Sequence, residues 1–91
     1  MALGIARLTR LARFEKAFKR LDPGVQDAAK KALSDLLRDP IPPGRNLELV
    51  RGRKDVYSIR VNYHFRMSFQ VQGDVAVMRR VAPHDELYSS P

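Results

Sequence analysis

The sequence contains no cysteine and only two histidines. A disulfide framework and a cysteine-based zinc site are thereby excluded, and stability has to come from packing. Neither histidine has paired carboxylates near it at helical spacing, so no metal-ligand constellation is visible. The five glycines are scattered and form no phosphate-cradling loop. A serine nucleophile is equally unsupported, because no nucleophile elbow and no attendant base can be found. No apolar run approaches the ~20 residues needed to span a bilayer. The opening stretch Met1-Ala2-Leu3-Gly4-Ile5-Ala6 is soon interrupted by Arg7, Arg10 and Arg13 and is not expected to act as a signal peptide. These absences lead to the expectation of a soluble, cytoplasmic protein with no metal, no small-molecule cofactor and no membrane association.

What is present is a small basic domain. Ninety-one residues leave room for one core, so residues 1–91 are expected to form a single domain, and 44% hydrophobic residues suffice to fill it. Lys and Arg number 17 against 10 Asp and Glu, a net charge of +7 and a pI near 10.4. A charge of that size in a small domain favours an anionic partner, nucleic acid or an acidic protein. A merely well-solvated surface is the alternative.

Gly4 to Thr9 fits a first strand or the start of a helix, and periodicity does not choose between them. From Leu11 onward the spacing is helical: Leu11, Phe14, Ala17, Phe18 and Leu21 form an apolar stripe with basic residues outside it. Asp22-Pro23 restarts the chain, with Asp suited to an N-cap and Pro to the first helical position. Val25, Ala28, Ala29, Ala32, Leu33, Leu36 and Leu37 then make the apolar face of a second helix, which stops before Asp39-Pro40. Asn46 to Val50 alternates as a strand. Arg51-Gly52-Arg53-Lys54-Asp55 follows, either a solvated turn or a phosphate-contacting loop.

Three further strands are expected between Asp55 and the phrase Ala82-Pro83-His84-Asp85-Glu86-Leu87-Tyr88. In the first, Tyr57, Ile59, Val61 and Tyr63 share one side, and Ser58, Arg60 and Asn62 the other. In the second, Phe65, Met67, Phe69 and Val71 face opposite to Arg66, Ser68 and Gln70. Arg60 and Arg66 therefore share one side of an antiparallel sheet. The third strand, Val75 to Val81, is apolar on both faces in its middle and suits a central position. A two-residue turn at Gly73-Asp74 puts Arg79 on Arg66's side, and a three-residue turn puts Arg80 there instead. The order amounts to an α+β two-layer domain, with a helical hairpin on one face of the sheet and the other face open.

An open face bearing arginines suits acid–base chemistry at a phosphodiester, which needs a proton acceptor, a proton donor and cations around the transition state. RNA carries its own nucleophile, the 2′-hydroxyl, so cleavage needs no metal. Histidine ordinarily titrates near neutrality, and His84 stands just past a strand end as either a proton carrier or a structural residue. Arg66 either binds phosphate or covers the sheet, and Tyr88 either stacks on a base or caps the core. His64 reads as exposed and incidental, and no general base stands out beyond Asp85 and Glu86.

Phe14-Glu15-Lys16-Ala17-Phe18-Lys19-Arg20-Leu21, Tyr57-Ser58-Ile59-Arg60-Val61-Asn62-Tyr63, Phe65-Arg66-Met67-Ser68-Phe69 and Val81-Ala82-Pro83-His84-Asp85-Glu86-Leu87-Tyr88 resemble, in order, the RelE/ParE superfamily of bacterial toxins. Within it the sequence looks most like the HigB, YafQ and YoeB branch. The resemblance implies a microbial-ribonuclease-like fold, an N-terminal strand and helical hairpin packed on a curved antiparallel sheet, and so a strand over Gly4 to Thr9. It also implies the toxin of a type II toxin–antitoxin system, a metal-independent endoribonuclease that cuts mRNA on the ribosome and leaves a 2′,3′-cyclic phosphate. The family's catalytic positions fall on Arg60, Arg66, His84 and Tyr88, with Arg51, Arg53, Lys54, Arg79 and Arg80 expected to bind RNA. The implied partners are mRNA, ribosomal RNA and a cognate antitoxin. Ser58 stands where RelE has a second cation. A gyrase-inhibiting, non-enzymatic ParE-like protein and an inactive toxin-fold binding protein are the alternatives; the cation, histidine and tyrosine set argues against the ParE branch.

Overall fold

A computed structural model describes residues 3–91; Met1 and Ala2, the start of the stretch considered above as a signal peptide, lie outside the described residues. The first strand, β1, is Arg7–Arg10, later than Gly4 to Thr9 suggests. Its register explains the shift. Ala6 N and Arg7 N both donate to Asp74 O, at 2.7 and 3.3 Å, so pairing begins where the distant Gly73-Asp74 turn ends.

Helix α1 is Ala12–Lys19 and helix α2 is Pro23–Leu36. Asp22 occupies the N-cap of α2, as expected, yet its side chain makes no capping hydrogen bond. The hairpin is closed from the other direction: Gln26 Nε2 donates to Phe18 O at 3.0 Å, a carbonyl at the end of α1 that also accepts from Leu21 N at 3.1 Å. The stripes hold except at their margins, where Leu11 and Leu37 remain 36% and 46% exposed.

Beyond a 3-10 turn at Pro43–Arg45 come β2 (Glu48–Leu49), β3 (Val56–Arg60), β4 (Phe65–Gln72) and β5 (Val75–Pro83). The sheet order is β1-β5-β4-β3-β2. β5 lies between two neighbours, which accounts for its apolar middle. β2 to β5 form the expected antiparallel sheet, and the N-terminal strand β1 joins it parallel to β5, which makes the whole sheet mixed. The helical hairpin between β1 and the later strands lets the first strand return alongside the last in the same direction.

Phe14, Ala29, Ala32 and Leu36 from the helices meet Ile59, Val61, Met67, Phe69, Met78 and Val81 from the sheet in one buried cluster. This is the alternation read from the sequence, with one exception: Tyr63 does not join Tyr57 and Ile59 but is 88% exposed. It lies past the end of β3, in the turn before β4, where strand alternation no longer applies. The polar face of the sheet is also less open than expected. A short helix, α3 (His84–Ser89), folds back across it, with Leu87 wholly buried.

Candidate active site

The site is assembled at the end of the sheet where β3 turns into β4 and β5 runs into α3. Asn46, just after the 3-10 turn, has φ 47°, a left-handed conformation that asparagine tolerates better than most residues. That conformation is where its carbonyl meets Arg66: Nη2 donates to Asn46 O at 2.7 Å. The same nitrogen donates to Ser58 Oγ at 3.0 Å, across the β3–β4 ladder. Arg66 is only 5% exposed, and its Nε is buried without a hydrogen-bond partner. Its guanidinium carbon lies 5.9 Å from the centroid of the Tyr88 ring, within cation–π range.

Tyr88 ties the site together. Its hydroxyl lies 2.8 Å from Ser58 Oγ and donates to Glu48 Oε2 at 2.8 Å. A phenol has one proton, so Ser58 must be the donor in the first of these bonds. The result is one directed chain, Arg66 Nη2 to Ser58 Oγ to Tyr88 Oη to Glu48, in which each bond polarises the next. Burial raises the Tyr88 phenol above its ordinary value; Glu48 pushes the same way, while Ser58 and Arg66 oppose it. Tyr88 is therefore neutral at physiological pH and can donate.

His84 opens α3 and packs against Tyr88 edge to face, with ring centroids 4.7 Å apart. Its Nδ1 lies 3.2 Å from Asp85 Oδ1. A carboxylate can only accept, which makes Nδ1 the donor and leaves Nε2 directed elsewhere. The backbone N–H of His84 donates to His64 O at 2.9 Å, so the β3–β4 turn fixes the start of α3. Arg60 is exposed and stands directly opposite Arg66 in the ladder.

The alternatives for Arg79 and Arg80 are resolved by an irregularity in β5. Gln72 pairs with Val75, a two-residue turn, but the register then shifts: Phe69 pairs with Met78 and Ser68 with Arg80. Arg79 is the extra residue of a β-bulge, and both arginines reach the C-terminal segment that lies over Ser68. Arg79 Nε donates to Pro91 O at 3.3 Å, Ser68 Oγ to the same atom at 2.9 Å, and Arg80 Nη1 to Ser90 O at 2.8 Å. The Arg79 guanidinium is held below its ordinary value by burial first, then by the positive charges of Arg13 and Arg53, with Asp55 opposing. Arg53 thus belongs to the same positive region as Arg79. Arg51, Arg53 and Lys54 are all exposed and precede β3, at the end away from Arg60 and His84.

Four of the sequence-derived residues, Arg60, Arg66, His84 and Tyr88, are therefore brought to one end of the sheet. Glu48, Ser58 and Asn46 were missed as members of the site. Ser58 and Glu48 are partners in the β2–β3 ladder, a pairing that local sequence does not specify. Asp85 and Glu86, the carboxylates proposed from sequence, are exposed, and Asp85 faces His84 while Glu48 is the one joined to Tyr88.

No protein-family model matches the sequence, and no curated protein matches it. Solved structures do. The chain is similar to one in the RelB–RelE antitoxin–toxin complex from Methanococcus jannaschii, with TM-score 0.73 and 19% identity over 91% of this chain and 99% of that one. It is similar to YafQ from E. coli strain BL21(DE3), with TM-score 0.67 and 14% identity over 89% of this chain and 96% of that one. It is also similar to a chain of the intact E. coli RelBE toxin–antitoxin complex, with TM-score 0.68 and 26% identity over 84% and 93%. Such likeness over nearly the full length of both chains, with the element order described above, assigns this chain the fold of the RelE-like toxins.

Proposed function

We propose that the protein is the toxin of a type II toxin–antitoxin system and acts as a metal-independent endoribonuclease on ribosome-bound mRNA. The observation that carries this reading is the chain Arg66–Ser58–Tyr88–Glu48 with the His84 ring against Tyr88. It holds a carboxylate and an imidazole on two parts of one phenol ring, beside the exposed cation Arg60. That is the set an internal attack by a 2′-hydroxyl requires: a proton acceptor, a proton donor and a positive charge near the phosphorane.

Glu48 takes the proton of the 2′-hydroxyl as its oxygen bonds to phosphorus. His84, acting as the imidazolium with its Nδ1–H held on Asp85, gives the Nε2 proton to the departing 5′-oxygen as the P–O5′ bond breaks and is left as the neutral Nδ1–H ring. The products are a 2′,3′-cyclic phosphate and a free 5′-hydroxyl. Arg60 faces the phosphate directly. Arg66, being buried, acts through Ser58 and Tyr88 as a positioning residue, and its charge adds to the local field. Arg53, Arg79 and Arg80 extend the positive surface along the sheet for the phosphates of the RNA strand, and Arg51 and Lys54 add charge at its far end. The similar chains in RelB–RelE and RelBE complexes support a cognate antitoxin as partner.

The test is cleavage of mRNA on programmed ribosomes, mapped by primer extension. Wild type is expected to cut; His84→Ala and Glu48→Gln are each expected to lose about 100- to 10,000-fold in rate, the range for removal of a general acid or base. Intact mRNA together with inhibition of gyrase supercoiling would instead support the non-enzymatic reading.

A further inference from the structure

The most exposed large apolar side chain described is Tyr63, at 88%, well beyond Leu49 at 52%. A single exposed aromatic is unremarkable by itself. This one, however, sits on a turn that is pinned from several sides. Asn62 Oδ1 accepts from His64 N at 2.9 Å and Phe65 N at 2.8 Å. Val61 N donates to Phe65 O at 2.9 Å. Arg45, anchored by Asp35 at 2.8 Å, donates to the carbonyls of Arg60 and Val61 at 3.2 and 3.3 Å. The tyrosine is thus held out into solvent by a preorganised loop.

The same turn is joined to the candidate active site. Tyr63 packs edge to face on His64, with centroids 5.0 Å apart. His64 O accepts the backbone N–H of His84, and His84 packs edge to face on Tyr88. Two aromatic pairs, Tyr63–His64 outside and His84–Tyr88 inside, are thus linked by one hydrogen bond, with Arg60 exposed on the strand that leads into the turn. Aromatic rings beside cations are what unpaired nucleotides bind, because every base has a stacking face and every phosphate a charge.

We infer that Tyr63 is a stacking platform for an unpaired nucleobase of the RNA strand that enters the site at His84. This rests on the ribonuclease reading and adds to it a contact that selects single-stranded RNA and sets where the strand lies relative to His84 and Arg60. Duplex RNA, whose bases are stacked on each other, has no free base to offer.

Binding of a short single-stranded 2′-O-methyl RNA, which cannot be cut, is measured for wild type, Tyr63→Ala and Tyr63→Trp at low salt. Tyr63→Ala is expected to bind about 5- to 150-fold more weakly, the range for loss of one stacked base. Tyr63→Trp is expected to bind like wild type. An abasic residue at one position of the RNA is expected to erase the difference between wild type and Tyr63→Ala. Equal binding by wild type and Tyr63→Ala to every RNA, or no binding by wild type, overturns the inference. So does a loss confined to binding of a protein partner, which makes Tyr63 a protein contact. Cleavage on programmed ribosomes is scored alongside to keep the two readings apart. Tyr63-dependent binding without cleavage sinks the nuclease reading alone; cleavage with Tyr63→Ala unchanged in both assays sinks the platform alone.

Discussion

The Arg66 guanidinium is buried at 5% exposure, with Asn46 O and Ser58 Oγ as acceptors and the Tyr88 ring beside it. The nearest link to a carboxylate runs through two hydroxyls to Glu48. Burying a charge without a direct counterion is costly, so the site uses dipoles and a π face in its place. Two functions, packing by the stem and polarisation by the guanidinium, should therefore separate on substitution. Arg66→Ala is expected to lose about 1–3 kcal/mol of stability in urea unfolding, leaving a buried hydrogen-bond partner unsatisfied. Arg66→Met should regain most of that stability but not the activity, because the stem packs while the charge is gone. An active Arg66→Met protein would show that the charge is not used.

Tyr88 offers a test by pH. Its phenol lies above the ordinary value of 10.0 in the folded chain, from burial first. Folding thus favours the neutral form: the contribution to stability is fully present below the ordinary tyrosine value and is lost as pH rises through the raised one. Ultraviolet titration should show one phenol ionising late in the folded protein, and Tyr88→Phe should remove that phase. A titration unchanged by the substitution would contradict the hydrogen-bonded chain.

Among the elements, α3 has the least claim to exist by itself. Six residues are far too few for a stable isolated helix, so α3 depends on what it docks against. Leu87, wholly buried, is its apolar anchor, and His84 N to His64 O is its polar one. Leu87→Ala is expected to cost about 2–5 kcal/mol in thermal unfolding and to reduce cleavage more than that loss explains, since His84 and Tyr88 both ride on the helix. Full activity in folded Leu87→Ala would mean that α3 is not what seats them. The bulge in β5 is the other element-scale device. Without the extra residue at Arg79, strand alternation would give only one of Arg79 and Arg80 to the face that carries Ser68 and Arg66.

Over the whole molecule, the +7 charge should govern RNA affinity through counterion release. Binding is expected to fall steeply with salt, with a log–log slope of about −0.7 for each phosphate neutralised on a single strand. Arg79→Gln and Arg80→Gln should each flatten that slope by about 0.7 if they contact phosphate. Slopes equal to wild type would remove those two arginines from the RNA path.

The fold and the functional positions were legible in the sequence to very different depths. Helical spacing in Phe14, Ala17 and Phe18, the Asp22-Pro23 restart, and the alternation of Ile59, Met67 and Phe69 are local signals, and they determined the hairpin, the strands and the buried face. Local signals also put Arg60 and Arg66 on one side, because strand period alone decides that. Tertiary structure decided the rest. The parallel docking of β1, the fold-back of α3 and the bulge at Arg79 depend on partners far along the chain, which no window of sequence contains. Glu48 meets Tyr88 across forty residues, and Tyr63 leaves the core side because the chain turns there. The sequence by itself therefore determined which side chains were available for chemistry. Long-range pairing decided which of them form one connected site, since hydrogen bonds form by distance in space and sequence patterns record distance only along the chain.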